Sequence, residues 1–498
     1  MKDYFYDLIP AEEREQLPYI PTVPEFVEWI EKKYADLPAE SDMATTYTYK
    51  QMCDRIARRR TTIANLGLQK GDKIAILERN GFDAFELFLA VTSAGMVAIN
   101  LPAQLPAPAV VGSCKRFDVE AIFVRDEFKP LCEGIESMGV KVLASNTMAE
   151  TPTAVTPVDK EDTAAIFFTG GTTGAPKGAV LPHRALMRGG FNGCFMPGSV
   201  IGNQRYIAIL PLSHVFGLIR TMMSAFYTGA VLYTCEDMKA TIGKIPMMKP
   251  TCLVIVPGIC DILIGLCKMY GPQFLGGQLK TIISGAANVP PRLIAEFDKM
   301  GIGLLGGYGL TESANLTSGN VDVKTHPTSV GKIYTGQETK VVDGELWIKG
   351  DNIFTGYYKD EANTKAALTE DGWLRTGDLV RFDEDGYLYI VGRIKNIIIL
   401  PNGENVSPEA IEEPFYASNF VKDAIVKEDQ LNGQPCIAIE ILPQVQAFGE
   451  KPWEEIEAYM NQLVADINAT LPTTHRISKV TVRKEDFKRT GAMKVSRN

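Results

Sequence analysis

A chain of 498 residues is too long for one simple core, so two or more domains are expected. It is 45% apolar and 22% charged, which is ordinary for a globular protein. Its net charge of −9 argues against a nucleic-acid-binding surface as its main business, and Arg58-Arg59-Arg60, the only tight basic run, reads as a solvated helix face.

Residues 26–34 carry apolar side chains at helical spacing. Thr46-Tyr47-Thr48-Tyr49 alternates like a strand and leads into a helix over residues 52–66. A short buried strand at 74–77, a helix at 82–94 ended by Gly95, and strands at 96–101, 121–124 and 140–144 follow. Helix alternating with strand predicts parallel sheets covered by helices.

Residues 162–168 and 179–181 read as two buried strands. Between them lies Thr169-Gly170-Gly171-Thr172-Thr173-Gly174-Ala175-Pro176-Lys177-Gly178, rich in glycine and threonine and carrying one lysine. Glycines let backbone N–H groups approach an anion, threonines add hydroxyl donors, and the lysine adds charge, so the loop suits phosphate. It is not a Walker loop, because Gly178 rather than Ser or Thr follows Lys177. The plain alternative is a glycine-rich hairpin with a solvated lysine.

Further along, residues 207–210 read as a strand running into an irregular turn at Ser213-His214-Val215-Phe216-Gly217. Strand ends followed by polar residues are where ligands sit in open α/β sheets. The segment ending Gly285-Ala286-Ala287 repeats the form, and then comes Gly306-Gly307-Tyr308-Gly309-Leu310-Thr311-Glu312-Ser313. An aromatic ring between glycines can lie on a base, and the acid after it can hold a metal; a tight turn with a solvated Glu is the alternative. From Gly344, alternating segments around 345–349, 355–358, 371–379 and 383–390 with Asp-Gly turns predict a small antiparallel subdomain. The nine cysteines are scattered with no C-x-x-C pair, so buried reduced thiols are expected rather than a zinc site or disulfides. The N-terminal residues do not read as a signal peptide and no apolar run would span a bilayer, so a cytoplasmic protein is expected.

Taken in order, the loop 169–178, Tyr308-Gly309-Leu310-Thr311-Glu312, Thr376-Gly377-Asp378, Gly392-Arg393-Ile394-Lys395 and a terminal Lys494 resemble the acyl-adenylate-forming superfamily, over nearly the whole chain. The resemblance implies an α/β fold: a large N-terminal domain (1–393) of parallel sheets with helices plus the antiparallel subdomain, and a small mobile α+β C-terminal domain (394–498). It implies that ATP and a carboxylic acid give acyl-AMP and pyrophosphate, and that the acyl group then passes to the thiol of CoA or, alternatively, of a carrier-protein phosphopantetheine.

By the same resemblance Thr169, Thr172, Thr173 and Lys177, with Gly170, Gly171 and Gly174, would cradle the leaving pyrophosphate. Thr311 would bind the α-phosphate and Glu312 would hold Mg²⁺. Tyr308 and Gly309 would meet adenine on one face and Gly285, Ala286 and Ala287 on the other. Asp378 would take the ribose hydroxyls, Arg393 the ribose or phosphate, Lys494 the α-phosphate and carboxylate, and Lys395 would be the hinge. His214 would border the acyl carboxylate, and reads equally as a structural histidine. Gly170 and Asn396 stand where many relatives have Ser and Asp. Relatives that activate amino acids place an Asp just after the His214 position; His214-Val215-Phe216-Gly217-Leu218-Ile219-Arg220 has none, which favours a fatty or aryl acid. A non-catalytic nucleotide-binding protein on the same fold is the rival reading.

Overall fold

The computed structural model of the chain describes residues 4–169, 177–287, 289–400, 404–431, 434–488 and 495. Its largest sheet has seven strands, in the order Gly356–Tyr357, Lys177–Pro182, Thr163–Thr169, Val97–Asn100, Lys73–Leu77, Val119–Val124 and Lys141–Ala144. The last five run parallel, and the first two add antiparallel at one edge. A second sheet places Cys252–Ile255, Thr281–Ser284 and Gly303–Tyr308 in parallel, then Ser318–Asn320 and Lys332–Ile333 antiparallel. Strands such as Cys252–Ile255 are buried along their whole length, which is why they read as unbroken apolar runs rather than as alternation.

The helix Val23–Tyr34 starts earlier than its apolar spacing suggests. Pro24 is harmless in a first turn, and the Thr22 side chain caps it by accepting from the Glu25 N–H at 3.4 Å. Val23, Phe26, Val27 and Ile30 are then buried along one stripe, each contributing about 1.5–3 kcal/mol.

The antiparallel subdomain consists of Gln337–Val342, Glu345–Gly350, Leu374–Phe382 and Leu388–Arg393. Residues 355–358, expected to belong to it, instead pair with Lys177–Pro182 at the edge of the seven-stranded sheet. The expected irregular turn at 216–217 is the start of a π-helix, Phe216–Met223, buried beyond its first residue. The C-terminal domain is smaller: Val421–Leu431, Gln434–Pro443 and Lys479–Val482 form a sheet backed by the helices Pro408–Tyr416 and Trp453–Thr470. Its core around Phe415, Ile439, Met460 and Val464 shares no residue with the N-terminal cores.

All nine cysteines are unpaired; eight are buried and Cys436 is half-buried. Burial pushes the Cys252 thiol up to about 11. Among the described residues no helix is long and apolar enough to cross a membrane.

The basic run is not a solvated face. Arg59 is fully buried on the helix Tyr49–Ala64, with Nε 2.7 Å from Glu86 Oε2 and further contacts to Asp83 and the Ser145 carbonyl. Arg60 is also buried, donating to the Thr153 carbonyl at 2.8 Å, and Arg55 shares the Glu86 carboxylate. Periodicity cannot separate an arginine facing water from one facing a buried acid on the next helix. Glu86→Ala would take a shared carboxylate from two arginines, leaving Arg59 only Asp83 and the Ser145 carbonyl, so the unfolding free energy from a urea titration should fall by about 3–5 kcal/mol, seen as a lower midpoint. An unchanged midpoint would show that the network contributes nothing.

Candidate functional site

Thr169 and Lys177 are register partners at the open end of the hairpin formed by Thr163–Thr169 and Lys177–Pro182. Gly170, Gly171, Thr172, Thr173 and Gly174 lie outside the described residues, as does Lys494. The Lys177 ammonium donates to Asn363 Oδ1 at 2.5 Å and lies 4.8 Å from the centre of the Tyr357 ring. The Tyr357 hydroxyl in turn donates to Glu312 Oε1 at 2.7 Å. Burial, then the Glu312 carboxylate, push the Tyr357 phenol far up, so it stays a donor. Lysine, ring and acid therefore form one contact chain. Tyr357 is the member the sequence reading missed, because its strand was assigned to the wrong sheet.

Glu312 sits in the 3-10 turn Thr311–Ser313, and its carbonyl accepts from the Phe354 N–H at 2.9 Å. The chain reverses immediately afterwards through Ala314 and Asn315, with φ of 49° and 73°. That reversal brings the Asn315 carbonyl back over Gly309, 1.5 Å from where a Cβ would sit, so only glycine fits there. The turn aims the Glu312 side chain at Tyr357, while Tyr308, closing the strand Gly303–Tyr308, points toward Asp378.

Asp378 is fully buried in Leu374–Phe382. Its Oδ2 accepts from the Tyr308 hydroxyl at 2.6 Å and from Arg393 Nη2 at 3.2 Å, and its Oδ1 lies 2.5 Å from Arg393 Nε. Asp378 and Arg393 are register partners on neighbouring strands. Burial, and then the carboxylate beside it, hold the Tyr308 phenol well above its ordinary value. Burial alone would lower the Arg393 guanidinium, but Asp378 outweighs it and the net direction is up.

Lys395 follows in the short turn Ile394–Asn396, where burial and then the Arg393 guanidinium push its ammonium down, against the opposing pull of Asp378, Glu312 and Glu409. On the other side, Gly285 is buried at the end of Thr281–Ser284, with the Phe216 ring 3.1 Å from where its Cβ would be. Ala286 is half-buried at φ 65° and Ala287 is exposed. His214 is half-buried ahead of the π-helix, its carbonyl accepting from the Leu218 N–H at 3.0 Å.

A separate cavity of about 350 Å³ opens beside Ser213, lined by Glu78, Asn80, Asn100 and Phe128 among others. None of the residues singled out above borders it. Glu78 Oε2, Asn100 Oδ1 and Ser213 Oγ are buried there without hydrogen-bond partners. Among the described residues there is no cluster of three or more His, Cys, Asp or Glu that would hold a metal by itself.

Two family models match the chain: AMP-binding enzyme over residues 27–358, and AMP-binding enzyme C-terminal domain over 395–498. The chain is 29% identical over 447 residues to a 4-coumarate–CoA ligase-like protein of Arabidopsis thaliana, covering 80% of this chain and 77% of that one. It is 26% identical over 418 residues to a probable CoA ligase of Humulus lupulus, covering 76% and 75%. Among solved structures, ATP-bound MatB from Rhodopseudomonas palustris superposes with a TM-score of 0.81 at 23% identity, covering 94% of this chain and 96% of that one. At that identity the likeness speaks to the fold.

The close approach at Gly309 is testable on its own. Gly309→Ala should lower stability by at least about 2 kcal/mol in a thermal melt. A variant as stable as the wild type would mean the turn after Glu312 has room the geometry denies it.

Proposed function

The chain belongs to the AMP-binding enzyme family, and on that premise we propose that it activates a carboxylic acid, fatty or aryl, with ATP and passes the acyl group to CoA. In the first step a carboxylate oxygen bonds to the α-phosphorus and pyrophosphate leaves. In the second the thiol sulfur bonds to the acyl carbon, AMP leaves, and the thiol proton passes to solvent. The observation that carries this reading is the juxtaposition of Lys177, Tyr357 and Glu312 with Tyr308, Asp378 and Arg393: a cation and an acid at one end, and an aromatic ring with a buried acid at the other.

An anion attacking an anion needs positive charge and donors around the phosphates. Lys177 and Thr169, with Thr172, Thr173 and the glycines between them, would hold the leaving pyrophosphate. Tyr308 and Gly309 would lie against adenine opposite Gly285, Ala286 and Ala287, and Asp378 would accept from the ribose hydroxyls beside Arg393. Thr311 would meet the α-phosphate, His214 the acid's carboxylate, and Lys494 the charge that develops between them.

Glu312 suits Mg²⁺. One of its oxygens is fixed by Tyr357 and the other accepts no hydrogen bond among the described residues, and this ion takes one or two carboxylates with phosphate oxygens rather than a full protein cage. When bound it offsets phosphate charge. The cavity beside Ser213 fits the pantetheine arm of CoA: its three unpartnered buried acceptors call for N–H or O–H donors, which amides and hydroxyls supply. We place the domain boundary at 393/394, with Lys395 as the hinge that withdraws Lys494 between the two steps.

The test is pyrophosphate release with ATP and Mg²⁺ across fatty, aryl and amino acids, with and without CoA. Acid-dependent release that turns over only with CoA supports the reading. Turnover only with a holo-carrier protein would replace CoA as acceptor, and ATP binding without release under any acid would leave the non-catalytic rival. In the same assay Lys494→Ala should slow acyl-AMP formation by about 10²–10³-fold yet spare thioester formation from supplied acyl-AMP. Equal loss of both halves would contradict the hinge.

A further inference from the structure

Three arginines are buried among the described residues. Arg59 and Arg60 are engaged by carboxylates and carbonyls. Arg220, 2% exposed on the π-helix, makes no hydrogen bond and no ion pair among the described residues, and its Nη1 is buried without a partner. Burial acts on it first, and its leading electrostatic neighbours are the phenols of Tyr206 and Tyr334 and the thiols of Cys252 and Cys194. It is also not alone. Thr221 on the same helix, and Asn192 on the helix His183–Asn192 packed against it, are fully buried, and the Thr221 hydroxyl and both amide atoms of Asn192 lack partners. An unpaired charge in a dry core is costly, and an unmet guanidinium donor, with further unmet polar atoms on the same and the adjacent helix, marks a place that a polar ligand group would complete.

The position in the fold says which ligand. Phe216 opens this helix against Gly285, and Ile219 lies against Gly189, which also faces the Ala314 carbonyl just past Glu312. The Tyr334 hydroxyl lies over Gly319, the register partner of Gly307 beside Tyr308. The helix packs against the helix His183–Asn192 and the strand Cys252–Ile255, and Arg220 sits four residues further along it than Phe216. Local π-helix geometry is one way a helix re-aims side chains at a functional site.

We infer that Arg220 is a specificity-determining residue that receives a second carboxylate at the far end of the acid, so that the substrate is a dicarboxylic acid with one carboxylate adenylated and the other held by the guanidinium. The inference rests on the adenylation reading above. A guanidinium fork pairs with a carboxylate through two parallel hydrogen bonds, and a site built for such a group rejects an analogue that lacks it, because the buried donors are then left unmet.

The test is kcat/KM for pyrophosphate release with matched pairs of equal length: hexanoate against adipate, heptanoate against pimelate, and benzoate against terephthalate. The wild type should favour one diacid over its partner by about 100-fold or more. Arg220→Met should erase that preference while retaining or improving turnover of the monoacid. Wild-type preference for the monoacids, or an unaltered diacid preference in Arg220→Met, would overturn the inference while leaving adenylation intact. Release with no acid of either kind would remove the adenylation reading, and this inference with it. Should Arg220→Met not fold, Arg220→Gln takes its place. The melting temperature of the wild type, raised by the diacid and not by its monoacid partner, then reads the same contact without turnover; equal shifts would overturn it.

Discussion

A carboxylate shut away from solvent ties two sheets of this molecule together. Asp378 is fully buried, and a buried charge is tolerable only when it is paired. Its partners come from different layers: Tyr308 from the second parallel sheet and Arg393 from the antiparallel subdomain. One acid therefore fixes the two sheets against each other, and it also fixes the last residue before the turn that leads to the small domain. A carboxylate offers about four lone-pair directions; the protein hydrogen-bonds Oδ2 twice, while Oδ1, ion-paired with Arg393 Nε, accepts no hydrogen bond among the described residues. A ribose hydroxyl arriving there could add at Oδ1, and only at Oδ2 would it exchange with Tyr308 or Arg393.

The opposite end is built on the same economy. Tyr357 is a platform for the Lys177 ammonium and a donor to Glu312, so the groups proposed to meet pyrophosphate and Mg²⁺ share a single ring. That ring is placed by two residues of strand, Gly356–Tyr357, docked on the hairpin that carries Lys177. Position at one end depends on sheet pairing, and at the other on ion pairing.

Much of this was legible from residue types alone. The α/β class and the antiparallel subdomain followed from turn chemistry and apolar runs, because those signals are local, whereas Asp378 stands out only through the family motif it belongs to. What escaped depends on contacts distant in sequence. Residues 355–358 have strand character, but nothing local says which sheet they join; the answer is set by backbone pairing with Val180 and Ala179. Arg59 has the periodicity of a surface residue, and only the helix carrying Asp83 and Glu86 makes it a core residue. The π-helix at Phe216–Met223 differs from an α-helix by one residue of register, which no composition records.

The distribution of thiols has a practical consequence. Eight cysteines are sealed in the N-terminal cores, where burial disfavours the reactive thiolate, and the one with partial access to solvent, Cys436, lies in the sheet of the small domain. The native protein is therefore suited to carry a single dye on that domain without any engineered cysteine. Fluorescence anisotropy or quenching from that one position would follow the small domain as ligands are added, with the large domain optically silent.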